Sequence, residues 1–326
     1  MYKYIGLDAH SSTCTFCVVD THGAEIDMTT IVTNGRLLID YVKSLGGTIT
    51  IAFEECDLSS WLFDLFQKHV HKVVVCNPVA NVEYKRAKTD KIDARNLAHL
   101  LRGGFLKAVF HDGSSREKFR MLVSGYEDLI QETVRVKNRL RTIKRRARLA
   151  GDRTIDTHAQ FIEERLTNQL ESLLQTRREY RKRLIACARR FKETRCLTSL
   201  PGIEALQASK IIAQVVDPGR FQNKYKFWSY CGLVRHQRIS AGRAYGTKRI
   251  WGNRILKCVF KMAAHSALKG KNALRLYYES LRAKGVSDKS ARNAVARKIA
   301  AISLVLWKHN QRYDERKVIE HLSVQG

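Results

Sequence analysis

The order of apolar patterns in the first third of the chain constrains the fold more than any other feature. Tyr2–Leu7 is a short apolar run that stops at Asp8, and Thr13–Val19 is a second β-rich run. His22-Gly23 turns the chain into a third strand over Glu25–Thr33. Asn34 is placed to cap a helix carrying Leu37, Leu38, Tyr41 and Leu45, which Gly46-Gly47 ends. A fourth strand, Thr48–Phe53, stops at Glu54-Glu55. Trp61, Leu62, Leu65 and Phe66 give the next helix an apolar face, and Lys72–Cys76 reads as a fifth strand halted by Asn77-Pro78. After the basic Lys85, Arg86 and Lys88, the stretch Lys88-Thr89-Asp90-Lys91-Ile92-Asp93-Ala94 opens a helix that continues through Leu97, Leu100 and Leu101 to Gly103-Gly104.

Three strands in succession, then helix, strand, helix, strand and helix, is the order of a ribonuclease-H-like (RuvC-like) α/β domain. In that architecture an Asp on the first strand, a carboxylate at a later strand end and acids on a following helix converge; here these are Asp8, Glu54, Asp90 and Asp93. Asp90 and Asp93 are three residues apart and share one helix face. Carboxylates aimed at one spot repel unless a cation lies between them, and hard divalent ions, Mg²⁺ or Mn²⁺, suit oxygen donors. Asp90 as a helix N-cap, with Asp93 favouring the positive helix end, is the alternative for that pair alone.

The net charge of +28 and pI near 10.0 point to a polyanionic partner. It is unevenly spread: residues 1–112 hold 12 Lys and Arg against 13 Asp and Glu, while the remainder holds 47 against 18. A near-neutral part that keeps carboxylates is thus joined to a strongly basic part, a division suited to cutting and holding nucleic acid. No apolar run approaches a membrane span. The start carries no secretory pattern, and eight scattered Cys fit a reducing cytoplasmic compartment. Cys14 and Cys17 have zinc-ligand spacing, but at strand period they face opposite sides.

Domain boundaries are expected at 1–112 for the α/β domain, 113–195 for a helical coiled-coil arm and 196–326 for a mainly α-helical C-terminal domain. In the arm, Leu122, Tyr126, Leu129, Thr133, Val136, Leu140, Ile143 and Ala147 form a heptad seam. Gly151-Asp152 breaks it, and a second helix carries Ile162, Leu166, Leu173, Tyr180, Leu184 and Phe191. The seam serves either a hairpin within the chain or a contact between chains. Arg139, Arg141, Lys144, Arg145, Arg146 and Arg148 crowd its end and are expected to meet phosphates.

Leu200-Pro201-Gly202-Ile203 leads into a helix whose N-terminus is either a phosphate cradle or an ordinary turn. Further on, residues 235–246 read as a basic, Gly-punctuated loop containing Ser240 with Arg235, Arg238 and Arg243. A serine among arginines can approach a phosphodiester or simply hydrogen-bond within its turn. Arg254–His265 and Ser290–Trp307 look helical, cationic on one face and apolar on the other.

Taken together, Gly6-Leu7-Asp8, Phe53-Glu54-Glu55-Cys56, Asn77-Pro78, Lys88–Ala94, Leu200-Pro201-Gly202-Ile203, Gly232-Leu233-Val234 and the Ser240 loop resemble the DEDD transposases of bacterial insertion sequences. These are bridge-RNA-guided serine recombinases related to the pilin-gene DNA invertase. The resemblance implies four acids that bind Mg²⁺, matching Asp8, Glu54, Asp90 and Asp93, and a coiled coil that mediates assembly into a dimer or tetramer. It further implies a C-terminal transposase domain with a nucleophilic serine matching Ser240. Donor and target DNA and a noncoding bridge RNA are the implied partners, with a covalent phosphoserine on the path. The chain departs from the family pattern at Glu55, which leaves Glu54 and Glu55 as rival ligands, and at Glu204, where Gly is common. It also departs at Arg235, where Pro is common, and in a shortened Gly246–Gly252 segment. A RuvC-like structure-selective (Holliday-junction) nuclease with water as nucleophile is the alternative enzyme. A binding protein with a dead site is the non-enzymatic one.

Overall fold

The computed structural model describes residues 1–78, 89–150, 157–240, 242–249, 252–317 and 319; the side chains of residues 150, 235–237, 244 and 247–249 are outside that description. Lys85, Arg86 and Lys88 and the Gly151-Asp152 break therefore lie outside the described residues. The chain divides into two compact units, Met1–Ser114 and Ser115–Gly326.

In the first unit, β1 (Tyr2–Ala9), β2 (Thr13–Val19) and β3 (Glu25–Val32) form an antiparallel meander. α1 (Gly35–Leu45) follows, then β4 (Thr48–Glu54), α2 (Ser59–Phe66), β5 (Lys72–Cys76) and α3 (Asp90–Arg102). β4 pairs parallel with β1 and with β5, so the sheet order is β3-β2-β1-β4-β5. Local chemistry sets the boundaries. The Asn34 side chain accepts from the Arg36 and Leu37 amides, and Gly46 stops α1 at a positive φ of 59°.

Strand alternation splits the sheet into two faces. Ile5, Leu7, Phe16, Val18, Ile51 and Phe53 pack on one side with Leu38 and Val42 of α1 and Leu62 and Phe66 of α2. On the other side Cys17 and Val19 pack with Ala94 and Ala98 of α3. Cys14 and Cys17 accordingly point to opposite faces. The α3 face depends on a missing side chain. A Cβ on Gly6 would lie 2.0 Å from the Ala94 carbonyl oxygen and 2.4 Å from the Ala98 nitrogen. Gly6 needs no unusual backbone angle; it is required by the close approach of α3.

The second unit is mostly helical. α4 (Ser115–Ala150) and α5 (Thr157–Ala188) are followed by α6 (Glu193–Thr198), α7 (Ala205–Val215) and α8 (Lys224–Tyr230). A β-hairpin, β6 (Arg235–Ser240) and β7 (Arg243–Arg249), precedes α9 (Arg254–Ala267), α10 (Ala273–Ala283) and α11 (Asp288–His309). The expected loop around Ser240 is therefore a hairpin. α4 and α5 run antiparallel, with Lys144 facing Glu163 at one level and Gly125 facing Tyr180 at another. Tyr126, Thr133, Val136 and Leu140 of the seam are buried and Ala147 is exposed, so the seam closes a hairpin within the chain.

The base of this helical hairpin belongs to the main core of the unit. Phe119, Val123, Tyr126, Leu184 and Ala188 join Leu197, Ile212, Phe227, Phe260, Val295 and Ile299. Arg116 pairs with the buried Glu193, and Lys210 with Glu127, which ties α4 to α6 and α7. The residues expected as a separate arm thus share a core with those expected as the C-terminal domain.

Gly6→Ala is expected to destabilise the first unit by about 1–3 kcal/mol, because backbone rather than a side-chain tip must move. Thermal unfolding of the purified chain measures it; an unchanged melting temperature would show that α3 does not need this contact.

Candidate metal centre

The site forms where α3 begins beside the end of β1. Leu7 is in register with Phe53, so Asp8 and Glu54 are the next residues of two adjacent parallel strands. Leu7 and Phe53 face the α1 and α2 side, and alternation turns Asp8 and Glu54 to the α3 side. The Gly6 contact then sets the height of α3, so that its first turn stands over Asp8.

Thr89, not Asp90, is the N-cap of α3: its hydroxyl accepts from the Ile92 amide at 3.3 Å. That removes the capping explanation for Asp90, which is left exposed in the first turn with Asp93. His10 Nε2 lies 3.2 Å from Asp8 Oδ2 and 3.9 Å from Asp90 Oδ1. Donor atoms of Asp8, His10 and Asp90 all fall within 4.8 Å of one another. Asp93 is near enough to act on Asp8 electrostatically.

Burial is the main influence on the Asp8 carboxyl and pushes its pKa above the usual carboxylate range. His10 pulls it down, while Asp90 and Asp93 push it up. Repelling carboxylates around a partly buried acid, with an imidazole at the same point, match the donor set of a divalent cation site. The helix N-terminus does not remove that repulsion; it makes it tolerable.

Glu55 is directed elsewhere. Its carboxylate lies 3.8 Å from His111, whose ring packs on Phe63 of α2, on the far side of the sheet from α3. Strand alternation puts Glu54 rather than Glu55 on the Asp8 face, while the close group of donors among the described residues is Asp8, His10 and Asp90, without Glu54 or Asp93. His10 was not expected. It lies just past the end of β1, where strand alternation gives no signal for it.

In the second unit, Ser240 is exposed and pairs with Arg243 across the hairpin end, next to Gly242 at φ 75°. Arg238, two residues back on β6, is exposed as well. Arg235 begins β6, and its side chain is outside the described atoms. Arg139, Arg141, Lys144, Arg145, Arg146 and Arg148 are all exposed on α4, and Lys144 pairs with Glu163.

The Pro201-Gly202 turn has a different role from a phosphate cradle. Glu204 is the N-cap of α7, and it forms a capping box with Gln207. The departure from Gly at position 204 thus fills the helix N-terminus with the chain's own carboxylate. Gly202 is held at φ 86°, and a Cβ there would come within 2.2 Å of the Ala263 carbonyl oxygen.

A raised carboxyl binds its proton more tightly in the folded than in the unfolded chain. Asp8 therefore adds stability at low pH, and that contribution is lost as pH rises through its folded pKa. At neutral pH without metal, Asp8→Asn is expected to raise the melting temperature, with the gain shrinking as the solution is acidified. The same variant is expected to lose most of the rise that Mg²⁺ or Mn²⁺ gives the wild type. Thermal melts with and without divalent ions check both; an equal metal response in the variant would remove Asp8 from the site.

Residues 5–146 match the DEDD transposase family of the IS110 type, described as Transposase, and residues 194–279 match the Transposase IS116/IS110/IS902 family. The chain is similar to the protein named "Putative transposase y4pF/y4sB" of Sinorhizobium fredii. The two are 22% identical over 292 residues, which cover 84% of this chain and 75% of that protein. It is also similar to the Insertion element IS110 uncharacterized 43.6 kDa protein of Streptomyces coelicolor. That match is 25% identical over 152 residues, 46% of this chain and 38% of the relative. The first match contains Asp8, Glu54, Asp90 and Asp93, and the second contains Ser240. The chain belongs to the IS110 family of transposases.

Proposed function

We propose that this transposase moves its own element through a RuvC-like metal site and a serine nucleophile, with an RNA that supplies sequence recognition. The observation that carries the proposal is the convergence of Asp8 and Asp90 in the part of the chain that matches the DEDD family. The sheet order β3-β2-β1-β4-β5, with acids at the ends of β1 and β4 and on α3, supports the RuvC-like assignment.

Asp8, Glu54, Asp90 and Asp93 are assigned as the Mg²⁺ ligands. A divalent ion held there supplies charge stabilisation at phosphate oxygens. Ser240 is assigned as the nucleophile. Its Oγ gives up its proton and forms a bond to phosphorus, the bridging P–O bond of the DNA strand breaks, and the departing strand end takes up one proton and leaves as a hydroxyl. The phosphoserine conserves the ester bond, so a hydroxyl of the incoming strand can reverse the step and rejoin without an outside energy source. Arg238 and Arg243, flanking Ser240 on the hairpin, are assigned to neutralise phosphate charge. The basic end of α4 is assigned to sequence-independent phosphate contact. Such a surface suits a protein whose target sequence is read by pairing with RNA.

Ser240→Ala is the deciding variant. It is expected to form no covalent protein–DNA adduct on denaturing gels, while binding of DNA and of the element's noncoding RNA stays within about twofold. Adduct formed equally by the variant ends the serine assignment. Wild-type cleavage with no adduct and no rejoined product favours the hydrolytic nuclease. On α4, Arg145→Ala and Arg148→Ala are each expected to weaken binding irrespective of sequence and to flatten the salt dependence by about one phosphate contact.

A further inference from the structure

A second feature of the basic unit, distinct from the hairpin and from α4, has the chemistry of a binding site. α8, α10, α11 and the segment after α11 enclose a cleft of about 490 Å³. That is within the range of about 300–1,000 Å³ for small-molecule sites. Its apolar surface comes from Trp228, Tyr277 and Tyr313, with Ala301, Ile302 and Val305 of α11.

Five cations stand around it: Lys224, Arg297, Lys298, Arg312 and Lys317. Among the described residues none of the five forms an ion pair, and Asp314 is the single acid on the wall. Three of the five lie over aromatic rings. Lys224 and Arg297 lie 5.8 and 5.9 Å from the Trp228 ring centroid, and Lys298 lies 5.8 Å from that of Tyr277.

The arrangement is built before any ligand arrives. The Trp228 indole N–H donates to the Arg297 carbonyl oxygen at 2.8 Å, which fixes the ring against α11. Lys298 is partly buried, and both its burial and the nearby Lys224 disfavour its charge. A group of unpaired cations around fixed aromatic faces gains from an anion that brings a flat ring with it.

We propose that this cleft holds one unpaired nucleotide of a single-stranded segment, its base against Trp228 and Tyr277 and its phosphates on Lys224, Arg297 and Lys298. A cleft of this size admits a base only when it has left its stack, so a continuous duplex is not the ligand. The inference rests on the family's nucleic-acid substrate and is independent of the metal and serine assignments. The strand is DNA or RNA, and the two arms of the test separate these sources.

The test compares the full-length wild type with a Lys224→Gln/Lys298→Gln double variant. Both changes shorten the side chain while keeping it polar and relieve the Lys224–Lys298 repulsion, and a thermal melt of the double variant checks that folding is retained. Binding of short oligothymidylate and oligouridylate at one fixed salt concentration is expected to weaken about tenfold, with duplex DNA binding unchanged within about twofold. The strand that shows the larger loss is the source. Irradiation of the wild type with a strand carrying 5-iodouracil is expected to cross-link to Trp228, Tyr277 or Tyr313. Equal weakening for duplex and single strands, unchanged single-strand binding, or cross-links confined to other peptides each overturn the pocket. A wild type that binds neither strand nor duplex overturns the proposed function on which the inference rests, a different result from any of these.

Discussion

The first unit is organised by how closely α3 lies on β1. Gly6 has no side chain, and the residues above it, Ala94 and Ala98, are small. The helix backbone therefore rests almost on the strand backbone. Everything at the acidic site follows from that spacing. Two residues beyond the contact, Asp8 is the penultimate residue of the strand, beneath the first turn of the helix, and Asp90 and Asp93 are in that turn. The apolar contact on one side of Asp8 is what supports the unfavourable gathering of carboxylates on the other.

This arrangement separates stability from chemistry along a single strand. Ile5 and Leu7 point into the larger core, Gly6 and Asp8 into the α3 face. Partial burial holds Asp8 against its charged form, so the folded chain without a cation stores electrostatic cost at this point. The second unit uses its charges differently. Its buried Glu193 and the Lys210–Glu127 pair are structural ties, whereas Arg139, Arg141, Arg145, Arg146 and Arg148 at the end of α4 are exposed to solvent.

The sequence made the sheet legible because four of its five strands have a strong stop at or near their ends: Asp8, His22-Gly23, Glu54 and Asn77-Pro78. Asp8 and Glu54 drew attention for the same reason, since a carboxylate at the end of an apolar run needs a partner. His10 was hidden because it follows the strand's apolar run, where a polar residue needs no explanation. The hairpin carrying Ser240 was hidden because both of its faces are polar. With Arg, His, Gln and Arg in succession there is no apolar alternation to mark β6, and Gly242 and Gly246 suggested a loop. Glu204 was noticed as a departure, but its capping box depends on Gln207 reaching back to the Glu204 amide, which is visible only in three dimensions.

That hairpin leaves and rejoins the helical core at one place. Gly232, held at φ 62°, meets Gly252 so closely that a Cβ on Gly252 would lie 2.5 Å from the Gly232 nitrogen. The Asn253 amide donates to the Tyr230 carbonyl oxygen at 2.7 Å beside it. The two ends of the excursion are thus clasped, and helices α8 and α9 are held together whatever lies between. The folded core is insulated from the length and composition of the segment that carries Ser240. A change of length between Gly232 and Gly252 meets this clasp before it reaches the helices that support the hairpin.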